Sequence, residues 1–476
     1  MIFNIDEPQR RNKIALIDAG SRASWTYGQL SEAVRVRQDC ITQTGLVFLF
    51  CTNDLPSVAW YLACMESGVP VALANGQLEI SLRAGLISLY KPEWIVADAK
   101  PDSSDYRATS QDRLGQDRLG QDRLWQAPPR PEMPLHPDLA LLLSTSGSTG
   151  SPKLVRLTRA NVVANASSIR EALAIDADDF PVAHLPLHYS YGLSVLNSHL
   201  LAGSPILLSN MGLMSAGFWE AVREYRVNSF SGVPYTYQML RRLDLDKLNA
   251  PSLLTFTQAG GKLDNDNVAH FHEQVTRRGG SFWVMYGQTE ATARMTILPA
   301  NELSRKLGSA GKAIPGGRLS IKTETGEITS NAGVAGELVY QGPNVMMGYA
   351  QSRDDLSRGD ELGGRLETGD RASLDEEGFV SILGRAKRDA KLFGLRVNLD
   401  ELEAFVKKHG PAAAIAGEDQ VFIFCEFGSE QDLQNIRAEL AAKLRLNNRA
   451  FQFRRVDQLP TNSSGKIDYA RLQNLI

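Results

Sequence analysis

Short apolar runs and amphipathic stretches alternate along the first part of the chain. Residues 14–18, 46–51 and 69–72 are mostly apolar and bounded by polar or turn residues, which predicts buried strands. Residues 26–41 place Tyr27, Leu30, Ala33 and Val34 on one side at helical spacing, and residues 56–65 also read as a helix. Strands and helices alternating at this spacing predict a mainly parallel sheet. The pattern resumes with a buried strand at 139–143 and a helix at 161–173. Residues 227–237, 253–263 and 282–290 each read as an apolar strand feeding a turn, and 184–193 as an aromatic-rich strand-to-helix turn. Segments 307–315 and 336–349 are β-rich with hairpin glycines. The last stretch, 385–476, reads as a strand, a helix at 399–408, strands at 412–416 and 421–426, a helix at 430–444 and a short tail.

One region breaks the pattern. Residues 111–125 read QDRLG-QDRLG-QDRLW, a tandem repeat of five residues, and Pro128, Pro129, Pro131 and Pro134 follow. The period is too short for a solenoid. The expectation is an exposed, mobile insertion over about 100–135.

Composition narrows the class. A chain of 476 residues supports two or more domains with ample core, and a net charge of −3 gives no basic excess for a nucleic-acid partner. No apolar run has the length of a membrane span, and the polar start MIFNIDEPQRR does not read as a signal peptide. Cys40, Cys51, Cys64 and Cys425 lack metal-site spacing and read as buried, reduced thiols, which fits a cytoplasmic location. His270 and His272 have no cysteine or carboxylate cluster beside them and read as a helix flank.

The chemistry starts at residues 141–153, LLLSTSGSTGSPK. A strand runs into a loop of hydroxyls and glycines that ends in a lysine. Glycines let the backbone approach an anion, hydroxyls and N–H groups cradle phosphate, and lysine adds a point charge. No Gly-Lys-Ser/Thr closes the loop, so it is not a Walker A loop. At 286–290, Tyr-Gly-Gln-Thr-Glu follows an apolar strand. An aromatic face suits a purine, a hydroxyl suits a phosphate oxygen, and a carboxylate suits Mg²⁺.

These stretches, with Glu367-Thr368-Gly369-Asp370, Gly384-Arg385 and Ser463-Ser464-Gly465-Lys466, resemble in order the motifs of the AMP-forming adenylating enzymes: acyl-CoA synthetases, peptide-synthetase adenylation domains and luciferases. The match covers nearly the whole chain. It implies an α/β fold, with a large N-terminal domain (1–384) of stacked α/β subdomains plus a small β subdomain, and a small mobile α+β C-terminal domain (385–476). It implies ATP and Mg²⁺ as cofactors. Thr145, Ser146, Gly147, Ser148, Thr149, Gly150 and Lys153 would hold phosphates. Gly260, Gly261, Tyr286 and Gly287 would border adenine, with Asp370 and Arg385 on the ribose. Thr289 would meet the α-phosphate, Glu290 would hold the metal, and Lys466 would reach the acid and the α-phosphate. Lys387 would be the hinge, and Lys391 and Gly394 would border the thiol's path. One departure is Leu154, where the family usually has glycine.

The acid pocket implied by the resemblance is formed by Tyr191, Gly192, Ser231, Gly232, Val233, Met285 and Ala293. These residues suggest an apolar, uncharged chain or ring. Members that activate amino acids carry an aspartate in the segment corresponding to 184–193. No acidic residue lies there, so the carboxylic acid is expected to lack an α-amino group. The expected reaction is acyl-AMP formation followed by transfer to a thiol, most simply coenzyme A. A loader that charges a carrier protein's phosphopantetheine and a non-catalytic nucleotide-binding scaffold are the alternatives.

Overall fold

The computed structural model describes the chain except residues 100, 102–104, 110–122, 130, 132, 145–152, 386–387, 393–394, 418–419, 445 and 462–465. It separates into two compact units, Met1–Arg318 with Gln341–Leu366, and Leu319–Tyr340 with Glu367–Ile476.

The first unit contains two large sheets. In the nine-stranded sheet, six adjacent strands run parallel: Ser281–Tyr286, Thr255–Gln258, Ser229–Gly232, Pro181–Ala183, Ile206–Leu208 and Ile14–Asp18. The eight-stranded sheet is built around the parallel strands Leu139–Ser144, Val71–Asn75, Val47–Cys51 and Trp94–Ala97. The predicted helices form at Tyr27–Cys40, Leu55–Ser67 and Arg159–Ala172. Local chemistry sets their starts. Thr26 and Thr158 each make a capping box, and Asp54 caps the helix that begins with Pro56 in its first turn.

The expectation of an exposed insertion at 100–135 is corrected at both of its flanks. Strands Arg107–Ala108 and Arg123–Gln126 extend the eight-stranded sheet antiparallel from Trp94–Ala97. Tyr106, Leu124 and Trp125 are buried, and Tyr106 and Trp125 pack in the core with Phe48 and Tyr90. The Tyr106 hydroxyl donates to the Pro92 carbonyl at 2.6 Å. Large apolar side chains at the flanks thus outweigh the polar repeat, whose centre lies outside the described residues.

The second unit holds a five-stranded sheet that includes Ala335–Gln341, Arg365–Leu374 and Val380–Arg385, and a three-stranded sheet of Ala412–Ala416, Val421–Cys425 and Phe451–Arg455. The last of these strands lies in what the sequence pattern left as tail. Glu403, buried on the helix Leu399–Val406, ties the unit together. Its carboxylate accepts from the Ala414 N–H at 2.7 Å, from Lys407 at 2.7 Å and from the Tyr469 hydroxyl at 3.1 Å, and it pairs with Arg388. All four cysteines are free and buried, and no helix among the described residues is long and apolar enough to cross a membrane.

Candidate active site

Neighbouring parallel strands end together, and ligands in open α/β sheets bind beyond such carboxyl ends. Gly232, Gln258 and Val284 lie in register on adjacent strands. Beyond this line the chain continues as Val233, Gly260-Gly261 and Tyr286-Gly287, so the register brings three separate sequence predictions to one edge.

Close approach explains the glycines. A Cβ on Gly287 would stand 1.8 Å from the Ala293 carbonyl oxygen, and one on Gly192 would stand 2.4 Å from the Pro186 carbonyl oxygen. Gly260 has φ +82°, and a Cβ there would stand 2.4 Å from the Tyr189 hydroxyl. The turn after Tyr286 is itself strained, with Thr292 at φ +64° and Ala293 at φ +153°. The segment after Gln341 holds it in place. Asn344 donates to the Ala291 and Arg294 carbonyls at 2.8 and 3.2 Å, and Thr292 donates to the Asn344 carbonyl at 2.6 Å.

Glu290 sits in this clamped turn. Its backbone carbonyl accepts from the Met346 N–H at 2.9 Å, and its carboxylate accepts from the Tyr349 hydroxyl at 2.7 Å. The Lys153 ammonium stands 3.2 Å from the centroid of the same Tyr349 ring. Tyr349 therefore joins the end of the phosphate loop to the carboxylate, although the sequence marked the 336–349 segment only as β-rich with hairpin glycines. Thr289 shares a hydrogen bond with Ser190 at 3.1 Å. Glu290 with the Thr289 hydroxyl forms an oxygen donor set, and that set suits Mg²⁺ already bound to phosphate oxygens. Replacing Tyr349 with phenylalanine keeps the ring beneath Lys153 and removes the bond to Glu290. A hydrogen bond to a charged group of this kind corresponds to about a tenfold or greater fall in ATP-dependent turnover. Pyrophosphate release at limiting and saturating ATP measures it, and an unchanged rate would remove Tyr349 from the site.

Thr145, Ser146, Gly147, Ser148, Thr149 and Gly150 lie outside the described residues, so Lys153 alone places the phosphate loop. Leu154 opens the strand Leu154–Thr158 and is buried in the core with Leu142, Met347 and Ala350. Packing thus accounts for leucine where the family usually has glycine.

The predicted pocket residues gather on one face of the nine-stranded sheet. Tyr191, Val233 and Met285 pack in a single buried cluster with Tyr189 and Ala259. Thr257, absent from the sequence prediction, is their polar hub. The Tyr191 and Tyr237 hydroxyls donate to its carbonyl at 3.0 and 2.7 Å, and its hydroxyl is 2.9 Å from those of Tyr191 and Ser231. An adjoining cavity of about 300 Å³ is lined by Leu173, His199, Ser231, Thr257, Trp283 and Arg294, among others. Tyr191, Val233 and Met285 are buried against one another, and none of the three lines this more polar cavity. His188 is half-buried, and burial lowers its imidazole to about 4, so it is neutral at neutral pH.

In the second unit, Asp370 and Arg385 face each other across the strand pair Arg365–Leu374 and Val380–Arg385, with Oδ1 and Nε 2.9 Å apart. Lys466 adjoins the bridge between Thr461 and Ile467. Ile467 and Tyr469 pack on a buried cluster that includes Leu459, Ala413, Ile415 and Phe424. Lys391 falls in the strand Asp389–Leu392, and Lys387 and Gly394 lie outside the described residues.

A strained, clamped turn that carries Glu290 and Thr289, at the carboxyl edge of parallel strands and tied to a phosphate-loop lysine, fits the AMP-forming acid–thiol ligases that the motifs resemble. Comparison with known proteins agrees. The chain belongs to the AMP-binding enzyme family, whose model matches residues 5–350. It is 30% identical over 352 residues to an oxalate–CoA ligase of Arabidopsis thaliana, covering 71% of this chain and 67% of that protein. It is 27% identical over 499 residues to peroxisomal OPC-8:0-CoA ligase 1 of Arabidopsis thaliana, covering 97% and 90%. O-succinylbenzoate coenzyme A synthetase from Bacillus subtilis, solved in complex with AMP, superposes with a TM-score of 0.77 at 22% identity, over 98% of this chain and 96% of that chain.

Proposed function

We propose that the protein converts a carboxylic acid and ATP to an acyl-adenylate and pyrophosphate, then transfers the acyl group to the thiol of coenzyme A. The observation that carries the reading is the Lys153–Tyr349–Glu290 arrangement beside Tyr286 and Thr289. The naming of similar proteins as CoA ligases supports coenzyme A over a carrier-protein phosphopantetheine as acceptor.

Hydroxide is a poor leaving group, so a carboxylate needs activation before a thiol can displace anything from it. In the first step the acid's oxygen attacks the α-phosphorus and the bond to the pyrophosphate oxygen breaks. Thr145, Ser146, Ser148, Thr149 and Lys153 hold the β- and γ-phosphates. Tyr286 packs on adenine, with Gly260, Gly261 and Gly287 allowing its approach. Asp370 and Arg385 engage the ribose. Glu290 would hold Mg²⁺, which would supply positive charge to the phosphates. Thr289 and Lys466 stabilise the charge developing at the α-phosphate. In the second step, residues 385–476 turn about Lys387, Lys466 withdraws, and the thiol enters beside Lys391 and Gly394. Its sulfur attacks the acyl carbon and AMP leaves.

The test is pyrophosphate release from ATP and Mg²⁺ with fatty, aryl and dicarboxylic acids, each with and without coenzyme A. Acyl-CoA formed with one acid class supports the reading. Release without acyl-CoA turns it to a carrier protein, and release with no acid overturns it.

A further inference from the structure

Arg294 is 2% exposed, yet among the described residues it has no ion pair and its side chain donates no hydrogen bond. Its nearest compensation is the face of the Tyr191 ring, 5.0 Å from the guanidinium carbon. Its backbone is held by Asn165, which donates to its carbonyl at 2.9 Å, and by Asn344 at 3.2 Å. A buried guanidinium with no anion beside it is costly, and the fold keeps it directly after the strained Ala293. The cavity it lines also carries Ser231 from the predicted acid pocket and its neighbour Thr257, with His199 beside them. The His199 Nδ1–H donates to the Val195 carbonyl at 2.8 Å, and burial lowers the imidazole to about 4, so it adds no charge at neutral pH. Asp176, Asp178 and Asp179 also line the cavity, but two of their carboxylates serve their own turn. Asp176 accepts from the Asp178 N–H at 2.8 Å, and Asp179 from the Asp176 N–H at 2.9 Å. None of them pairs with Arg294.

We propose that the acid activated here carries a second carboxylate, and that Arg294 receives it in this cavity as the specificity-determining residue. The proposal rests on the adenylation reading above. A planar guanidinium already desolvated and aimed into a cavity binds a carboxylate with two parallel hydrogen bonds, and it discriminates strongly against a substrate that leaves it unpaired.

The test compares matched acids: succinate, glutarate, adipate and phthalate against butyrate, valerate, hexanoate and benzoate, read by pyrophosphate release. The expected result is a kcat/KM at least a hundredfold higher for one diacid than for its matched monoacid. Arg294→Met should raise KM for that diacid by a hundredfold or more and bring the diacid-to-monoacid ratio of kcat/KM close to one, and Arg294→Lys should restore part of the diacid preference. Retained monoacid turnover shows that the variant is folded. If it does not fold, the wild-type ratio decides alone. Monoacids used as well as diacids by the wild type would overturn the second carboxylate and leave adenylation standing. Release with no acid would overturn both.

Discussion

Lys466→Ala lowers the rate of acyl-adenylate formation by about 10²–10³-fold, the cost of removing one preorganised charge from a developing oxyanion. The same variant forms thioester from supplied acyl-adenylate at close to the wild-type rate. The asymmetry follows from the two steps. Negative charge builds on the α-phosphate oxygens only while the acid attacks, so an ammonium there helps the first step and is not needed when a thiol attacks the acyl carbon. The lysine is well mounted for such a role. Thr461 and Ile467 bridge across its loop, and Ile467 and Tyr469 pack on a cluster that includes Phe424. The Tyr469 hydroxyl is in turn fixed on Glu403 at 3.1 Å. Losing this mounting would blunt both steps, whereas removing the ammonium touches one. Single-turnover measurements of pyrophosphate release and of thioester formation separate the two, and an equal loss in both would rule out a lysine that acts only in adenylation.

How far the sequence foretold this molecule depended on whether the deciding signal was local. Short buried strands such as Val47–Cys51 and capped helices such as Tyr27–Cys40 follow from residues within one turn or one strand, and they were legible. The glycines at 192, 260 and 287 were legible as motif members, but their reasons are contacts with Pro186, Tyr189 and Ala293 that only the fold supplies. Tyr349 was hidden because its partner Glu290 lies on a distant segment, and a tyrosine in a hairpin reads as packing. Thr257 was hidden in a strand whose alternating threonines look like ordinary sheet residues. Arg294 left the one usable trace, a lone charge within the mostly apolar run 291–298. The 100–135 region misled because a conspicuous polar repeat drew attention from Tyr106 and Trp125, which carry the burial.

Lowering the pH from 7.5 to 5 destabilises the first unit by about 6 kcal/mol, the sum of three histidines contributing about 2 kcal/mol each. His199 is 5% exposed, and His184 has both ring nitrogens buried and stacks on Phe230 at 4.7 Å between centroids. Burial lowers each imidazole, and that of His188, from 6.5 to about 4, opposed only partly at His199 and His184 by the backbone carbonyls of Val195 and Val182. The sign follows from proton counts. Between pH 6.5 and 4 the unfolded chain binds protons at all three rings and the folded chain does not, so stability falls as the pH falls through that window. Above pH 6.5 both states carry neutral rings and the effect vanishes. Asp179 opposes the trend, because burial raises its carboxyl and the folded state takes up its proton first, but it is one group against three. All six tryptophans, Trp25, Trp60, Trp94, Trp125, Trp219 and Trp283, lie in the first unit, so denaturant unfolding followed by tryptophan fluorescence reports on this unit alone. His199→Asn should flatten the pH dependence by about a third, since one of three comparable contributions is removed. A denaturation midpoint that stays constant from pH 7.5 to 5 would mean that these imidazoles are not held neutral by burial.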